Sequence, residues 1–186
     1  VYQGTGVVDT VAFTTQNMTV EAEGGANTIT GTSGNNVINA GDGADTITVT
    51  SGNNVINAGD GANTIAATNG QNYIVTGSGV DTITVGGIAG QVNTIMAGDG
   101  ANTITTGASD DYITAGSGVD TITTGAGDDT VDAGDGANTI TTVAGNDDVT
   151  TGSGMDIITT AAGNDTVTAG DGPNTTTNGA GTHPHT

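Results

Sequence analysis

The sequence predicts an all-β fold: a parallel β-solenoid of the β-roll kind, with two sheets, 18 residues per coil and about ten coils. Three observations predict it. Twenty consecutive nine-residue units fill the chain from Gly4 onward. Eighteen of the twenty units place a β-branched aliphatic residue at one fixed position, with Thr176 and His185 in the other two, and alternate units differ. A short fixed period marks an architecture in which each unit buries little and stacking makes the core.

The unit reads Ala40-Gly41-Asp42-Gly43-Ala44-Asp45-Thr46-Ile47-Thr48, counted from Ala40 as position one. The same frame returns at Ala58, Thr76, Ala97, Ala115, Ala133, Thr151 and Ala169, with a sister unit between each pair. Three extra residues interrupt it once, between Val85 and Met96. Position eight is aliphatic from Val11 and Val20 through Ile29, Ile47, Ile65 and Ile83 to Val167. Its neighbours at positions seven and nine are mainly Thr, Asn or Val. A middle residue facing inward between two facing outward is a short strand, and β-branched residues suit it. Positions two to five are glycine-rich, which permits a tight turn. Two units close one coil, and ten coils stack to roughly 48 Å at ~4.8 Å per coil. We read residues 1–186 as one solenoid domain. Residues 4–21 form a degenerate first coil, 22–177 the regular repeats and 178–186 a degenerate last repeat. The extra residues near Ile88 are expected to bulge outward and leave the later register intact.

Composition sets what the roll needs. The 186 residues include no Lys, Arg or Cys and carry a formal charge of −20. Such a chain repels itself, so positive charge has to come from outside. Nucleic acid and anionic membrane surfaces are excluded as partners, because no basic side chain can meet a phosphate. Only four residues are aromatic, far fewer large apolar groups than a globular core uses. No membrane-length apolar run is present.

The acidic residues follow rows. In the first row, position six alternates without exception: Asp9, Asn27, Asp45, Asn63, Asp81, Asn102, Asp120, Asn138, Asp156, Asn174. Position three answers it, with Asp60, Asp99, Asp135 and Asp171 beside Asn, and Ser78, Ser117 and Ser153 beside Asp. The second row is split by halves: Asn36, Asn54, Asn72 and Asn93, then Asp111, Asp129, Asp147 and Asp165. Two readings account for the alternation: duplication of a 36-residue ancestor, or selection for charge spacing. In both, carboxylates stacked ~5 Å apart repel unless a cation lies between them.

At this point the chain resembles the RTX family, whose nonapeptide is G-G-x-G-x-D-x-U-x, a calcium-binding parallel β-roll. Thr124-Gly125-Ala126-Gly127-Asp128-Asp129-Thr130-Val131-Asp132 and Thr76-Gly77-Ser78-Gly79-Val80-Asp81-Thr82-Ile83-Thr84 carry the likeness best. The resemblance implies Ca2+ held by position-six carboxylates and turn carbonyls of successive coils. It places those ligands on Asp9, Asp45, Asp81, Asp111, Asp120, Asp129, Asp147, Asp156 and Asp165. It also implies bacterial type I secretion to the extracellular space or cell surface, with external calcium folding the chain. This chain departs from the pattern in two ways. The first glycine is usually Ala or Thr, and nine position-six residues are Asn. Asn ligates only through a neutral carbonyl, or forms an amide ladder without metal. The strongest sites are therefore expected from Asp111 onward, with Asn36 to Asn93 metal-free. A competing reading has Asn and Asp merely closing turns by Asx bonding.

Two functions fit. The first is a non-enzymatic, calcium-stiffened rod within an adhesin, surface layer or extracellular filament, continuing into a larger chain or self-associating axially. The second is an ice-binding face. Outward Thr-x-Thr pairs recur on one side only, at Thr28/Thr30, Thr46/Thr48, Thr82/Thr84, Thr103/Thr105, Thr121/Thr123, Thr139/Thr141 and Thr175/Thr177. No Ser-His-Asp set, histidine pair or phosphate loop is present, and no cation could stabilise an oxyanion, so no enzyme is expected. His183 and His185 fall in the degenerate last unit and read as a frayed end.

Overall fold

The structure is a computed structural model, and it describes residues 1–14 and 17–184. His185 lies outside the described residues. The unit folds as its pattern requires: a glycine-rich turn, then a strand of two to five residues. Twenty such strands run from Tyr2–Gln3 to Thr175–Asn178 among the described residues, and they alternate between two sheets. Each sheet has ten parallel strands in sequence order, so every second strand is a hydrogen-bonded neighbour. One sheet starts at Tyr2–Gln3 and ends at Thr166–Thr168. The other starts at Thr10–Phe13 and ends at Thr175–Asn178; we call it the threonine sheet.

Register holds at 18 residues per coil. Ile47 pairs with Ile65, and Ile65 with Ile83, in one inward ladder. Across the insertion the step becomes 21, with Ile74 opposite Ile95 and Ile83 opposite Ile104. Ile88 in the added segment is exposed, and the Gln91 N–H closes a turn onto the Ile88 carbonyl at 3.1 Å. The three residues bulge outward because the ladder on both sides leaves them no place inside.

The interior has three inward positions per unit. Position eight supplies Ile or Val, and position one supplies small or β-branched residues such as Ala40, Val49, Ala58 and Ala67. The third is position six: its Asp and Asn side chains from Asp9 to Asp165 are buried, not displayed on the turn surface, with Asn174 at the end only half-buried. The core is thin, so each turn end of the roll is lined by Asx groups. Position four shows why glycine is required there. Gly79 has φ +150° and Gly118 φ +145°. A Cβ at either would run into the carbonyl of the glycine one coil below, Gly61 or Gly100.

Candidate metal sites in the turns

Each position-six side chain reaches one coil back. The backbone N–H of Asn27 donates to Asp45 Oδ1 at 2.7 Å, that of Asp45 to Asn63 Oδ1 at 3.0 Å, and that of Asn63 to Asp81 Oδ1 at 2.7 Å. The first row continues in this way to Asp156, whose N–H donates to Asn174 Oδ1 at 2.9 Å. The second row does the same, from Met18 N–H to Asn36 Oδ1 at 2.9 Å through to Asp147 N–H to Asp165 Oδ1 at 3.1 Å. From Asn27 onward, one oxygen of each position-six Asp or Asn is thus committed to a backbone donor of the preceding coil, which needs such a partner,.

The second atom of the group separates Asn from Asp. Asn63 Nδ2 donates to the carbonyls of Gly59 and Gly61, both at 3.1 Å. Asn102 Nδ2 does likewise to Gly98 at 3.2 Å and Gly100 at 3.3 Å. Asn138 and Asn174 reach Gly134 and Gly170 in the same way. In the second row, Asn36 Nδ2 donates to Asn54 Oδ1 at 2.8 Å, and Asn54 Nδ2 to Asn72 Oδ1 at 2.9 Å. The ladder ends where Asn93 Nδ2 meets Asp111 Oδ1 at 2.9 Å.

Where Asp takes the place of Asn, no donor is left. The Oδ2 atoms of Asp45, Asp81, Asp111, Asp120, Asp129, Asp147, Asp156 and Asp165 are all buried without a hydrogen-bond partner. Leaving a buried charged acceptor unsatisfied costs more than the ~1–3 kcal/mol of a neutral group. By position, these atoms stand where the Asn amide group addresses its turn carbonyls. A buried carboxylate oxygen without a donor is what a hard cation would satisfy. Asp9 is different: Tyr2 OH donates to its Oδ1 at 2.8 Å and Thr5 N–H to its Oδ2 at 3.3 Å.

Electrostatics agree. Burial pushes the carboxyls of Asp45, Asp120 and Asp147 above the ordinary range, against hydrogen bonds that lower them. Asp129 goes furthest, to about 7, through burial first and then the charges of Asp111 and Asp147. The hydrogen bond from the Asp111 N–H to its Oδ1 opposes that rise. No group of three or more Asp, Glu, His or Cys side chains that could hold a metal gathers among the described residues. A cation here would draw its remaining ligands from turn carbonyls, as calcium's six to eight oxygen ligands allow.

The exposed carboxylates at position three are served differently. Ser78 N–H donates to Asp60 Oδ1 at 2.7 Å, and the Ser78 hydroxyl to the same atom at 3.0 Å. Ser117 serves Asp99 and Ser153 serves Asp135 in the same way. The alternation of Asp and Ser is thus a physical pairing between successive coils. These bonds hold the Asp60, Asp99 and Asp135 carboxyls below the usual range.

One contact was not anticipated. His183 stands at position six of the last unit, 18 residues after Asp165, with Nδ1 3.3 Å from Asp165 Oδ2. Its Nε2 lies 3.2 Å from the Gly179 carbonyl, four residues back, as Asn63 Nδ2 lies from Gly59. The 18-residue offset carried this signal.

The fold and its turn chemistry define a class, a calcium-binding parallel β-solenoid. A family profile for the RTX calcium-binding nonapeptide repeat matches residues 21–56, 48–83, 90–122, 114–149 and 150–182. The chain belongs to the RTX calcium-binding nonapeptide repeat family. Comparison with curated proteins and with solved structures returned no match.

Proposed function

We propose that calcium occupies the Asp-bearing turns, at Asp45, Asp81, Asp111, Asp120, Asp129, Asp147, Asp156 and Asp165, and that the Asn-bearing turns hold none. The supporting observation is the set of eight buried carboxylate oxygens without hydrogen-bond partners, Asp165 Oδ2 also lying 3.3 Å from His183 Nδ1, against Asn side chains whose amides donate to turn carbonyls or to the next Asn. The Asn amide is a built-in replacement for the cation. Asp9 is left out, because Tyr2 and Thr5 already serve its oxygens. Two of the eight carboxylates precede the insertion and six follow it, so dependence on calcium is concentrated after Asp110.

On this reading residues 1–186 act as one non-enzymatic domain, a secreted rod that external calcium folds and stiffens within an adhesin, surface layer or filament. A charge of −20 with no cationic side chain weakens the calcium-free fold by self-repulsion,. Each terminal strand is paired on one side among the described residues, which supports axial contact with further coils. Far-UV circular dichroism on adding calcium tests the core of this reading. A gain of β signal is expected; no change in signal or melting temperature between calcium and chelator rejects it.

Register favours a second reading, ice binding by the threonine sheet. Its outer rank at position seven runs Thr28, Thr46, Thr64, Thr82, Thr103, Thr121, Thr139, with each residue directly opposite the next. Ile157 and then Thr175 continue that rank. Thr30, Thr48, Thr84, Thr105, Thr123 and Thr141 form the parallel rank at position nine, where only Ala66 intervenes. The hydroxyls are then spaced ~4.8 Å along the stack and ~6.7 Å across it. Thermal hysteresis of the calcium-loaded protein tests this; its absence rejects it.

A further inference from the structure

Position one of the second row divides the chain at the same place as position six. Gly31, Val49, Ala67 and Val85 open the turns that end on Asn36, Asn54, Asn72 and Asn93. Thr106, Thr124, Thr142 and Thr160 open the turns that end on Asp111, Asp129, Asp147 and Asp165. All eight position-one residues are buried. Strand preference does not explain the switch, since Val and Thr are both β-branched and nearly the same size. Burying a hydroxyl without a partner costs free energy that valine avoids.

The hydroxyls of Thr106, Thr124 and Thr142 are nonetheless buried and without a hydrogen-bond partner. The Oδ2 atoms of Asp111, Asp129 and Asp147, five residues later in the same turns, are in the same condition. Three successive coils therefore enclose a hydroxyl and a carboxylate oxygen at one turn end, each lacking a donor or an acceptor.

We propose that Thr106, Thr124 and Thr142 contribute their Oγ1 atoms as calcium ligands, so that the second row after the insertion is a file of mixed hydroxyl–carboxylate sites. This rests on the calcium reading above and adds ligands to it. The family repeat has glycine at position one, so the hydroxyl is this chain's own addition. A neutral hydroxyl supplies one of the oxygens calcium needs without adding charge to a row of stacked carboxylates.

The test is the full chain carrying Thr124→Val and Thr142→Val, with Thr124→Ser and Thr142→Ser as the control. Two readouts are taken: β signal in chelator, and the calcium concentration that half-protects amides 106–167 from hydrogen exchange. The Val variant is expected to keep at least the wild-type β signal in chelator, because an unpartnered hydroxyl is gone. Its calcium midpoint is expected to rise about tenfold or more, and the Ser variant to stay near wild type. An unchanged midpoint in the Val variant overturns the proposal. So does a Val variant that loses β signal in chelator as well as calcium affinity, since that marks a packing role. A wild-type chain that takes up no calcium overturns the underlying reading and this one together.

Discussion

Asn63 and Asp81, one coil apart, are joined by a 2.7 Å hydrogen bond from the Asn63 N–H to Asp81 Oδ1, yet they leave opposite chemistry facing their turns. The Asn63 amide donates to the carbonyls of Gly59 and Gly61. The Asp81 Oδ2 is buried with nothing to accept from. One atom, nitrogen or oxygen, decides whether the side chain donates to its turn or is left without a partner.

That difference predicts the effect of Asp129→Asn. The new amide supplies a donor where Asp129 Oδ2 now has none. In chelator the variant should gain about 1–3 kcal/mol of stability, the usual cost of an unsatisfied buried polar group. In calcium it should lose the ion of that turn. Melting in chelator and calcium titration of the same variant check both signs.

The reverse change, Asn54→Asp, breaks a ladder. Asn54 Nδ2 donates to Asn72 Oδ1 at 2.9 Å and to the Gly52 carbonyl at 2.8 Å. Without those bonds the calcium-free protein should lose about 1–3 kcal/mol. Calcium should restore part of the loss, which melting with and without the ion would show.

The pH dependence of the calcium-free protein follows from two groups of carboxyls with opposite signs. Asp129 is raised from 3.8 to about 7 in the fold, chiefly by burial. Its contribution is fully present below pH 3.8 and is lost as pH rises through about 7. Asp45, Asp120 and Asp147 are raised for the same first reason and act in the same direction. Asp60, Asp99 and Asp135 are lowered by serine hydrogen bonds, so their contribution is present above 3.8 and is lost as pH falls below it. Being exposed, they contribute less. In chelator the melting temperature should therefore be higher near pH 5 than near pH 8. Saturating calcium should remove or reverse that trend, because it favours the ionised form.

Gly118→Ala is expected to destabilise by more than about 1 kcal/mol. The residue sits at φ +145°, and its Cβ would run into the Gly100 carbonyl. Denaturant titration with calcium present would measure it, with Ala126→Gly as a control at a turn position without that constraint.

Much of this architecture was legible because a nine-residue period leaves little freedom. Ile47, Ile65 and Ile83 had to share a ladder, and the two mixed rows of Asp and Asn fell on opposite edges of the roll. The depth of position six was harder to read. A polar residue in a glycine-rich turn suggests a surface, yet Asp81 and Asp120 are buried, because the turn is tight enough to fold its own side chain inward. The hydrogen-bond roles of position three were written as an Asp/Ser alternation, but only the structure shows Ser78 donating to Asp60 across a coil. His183 looked like part of a frayed end and instead follows Asp165 in the position-six ladder. The inward face of position one was missed, since an isolated Ala or Thr at the end of a strand carries no signal until both sheets are closed.

The most direct test of the central claim is a crystal structure grown in millimolar calcium, with anomalous scattering used to locate the ions. Peaks are expected in the turns of Asp45, Asp81, Asp111, Asp120, Asp129, Asp147, Asp156 and Asp165, with none along the second row from Asn36 to Asn72. Peaks spaced evenly along that Asn stretch, or their absence beside Asp129, would contradict it.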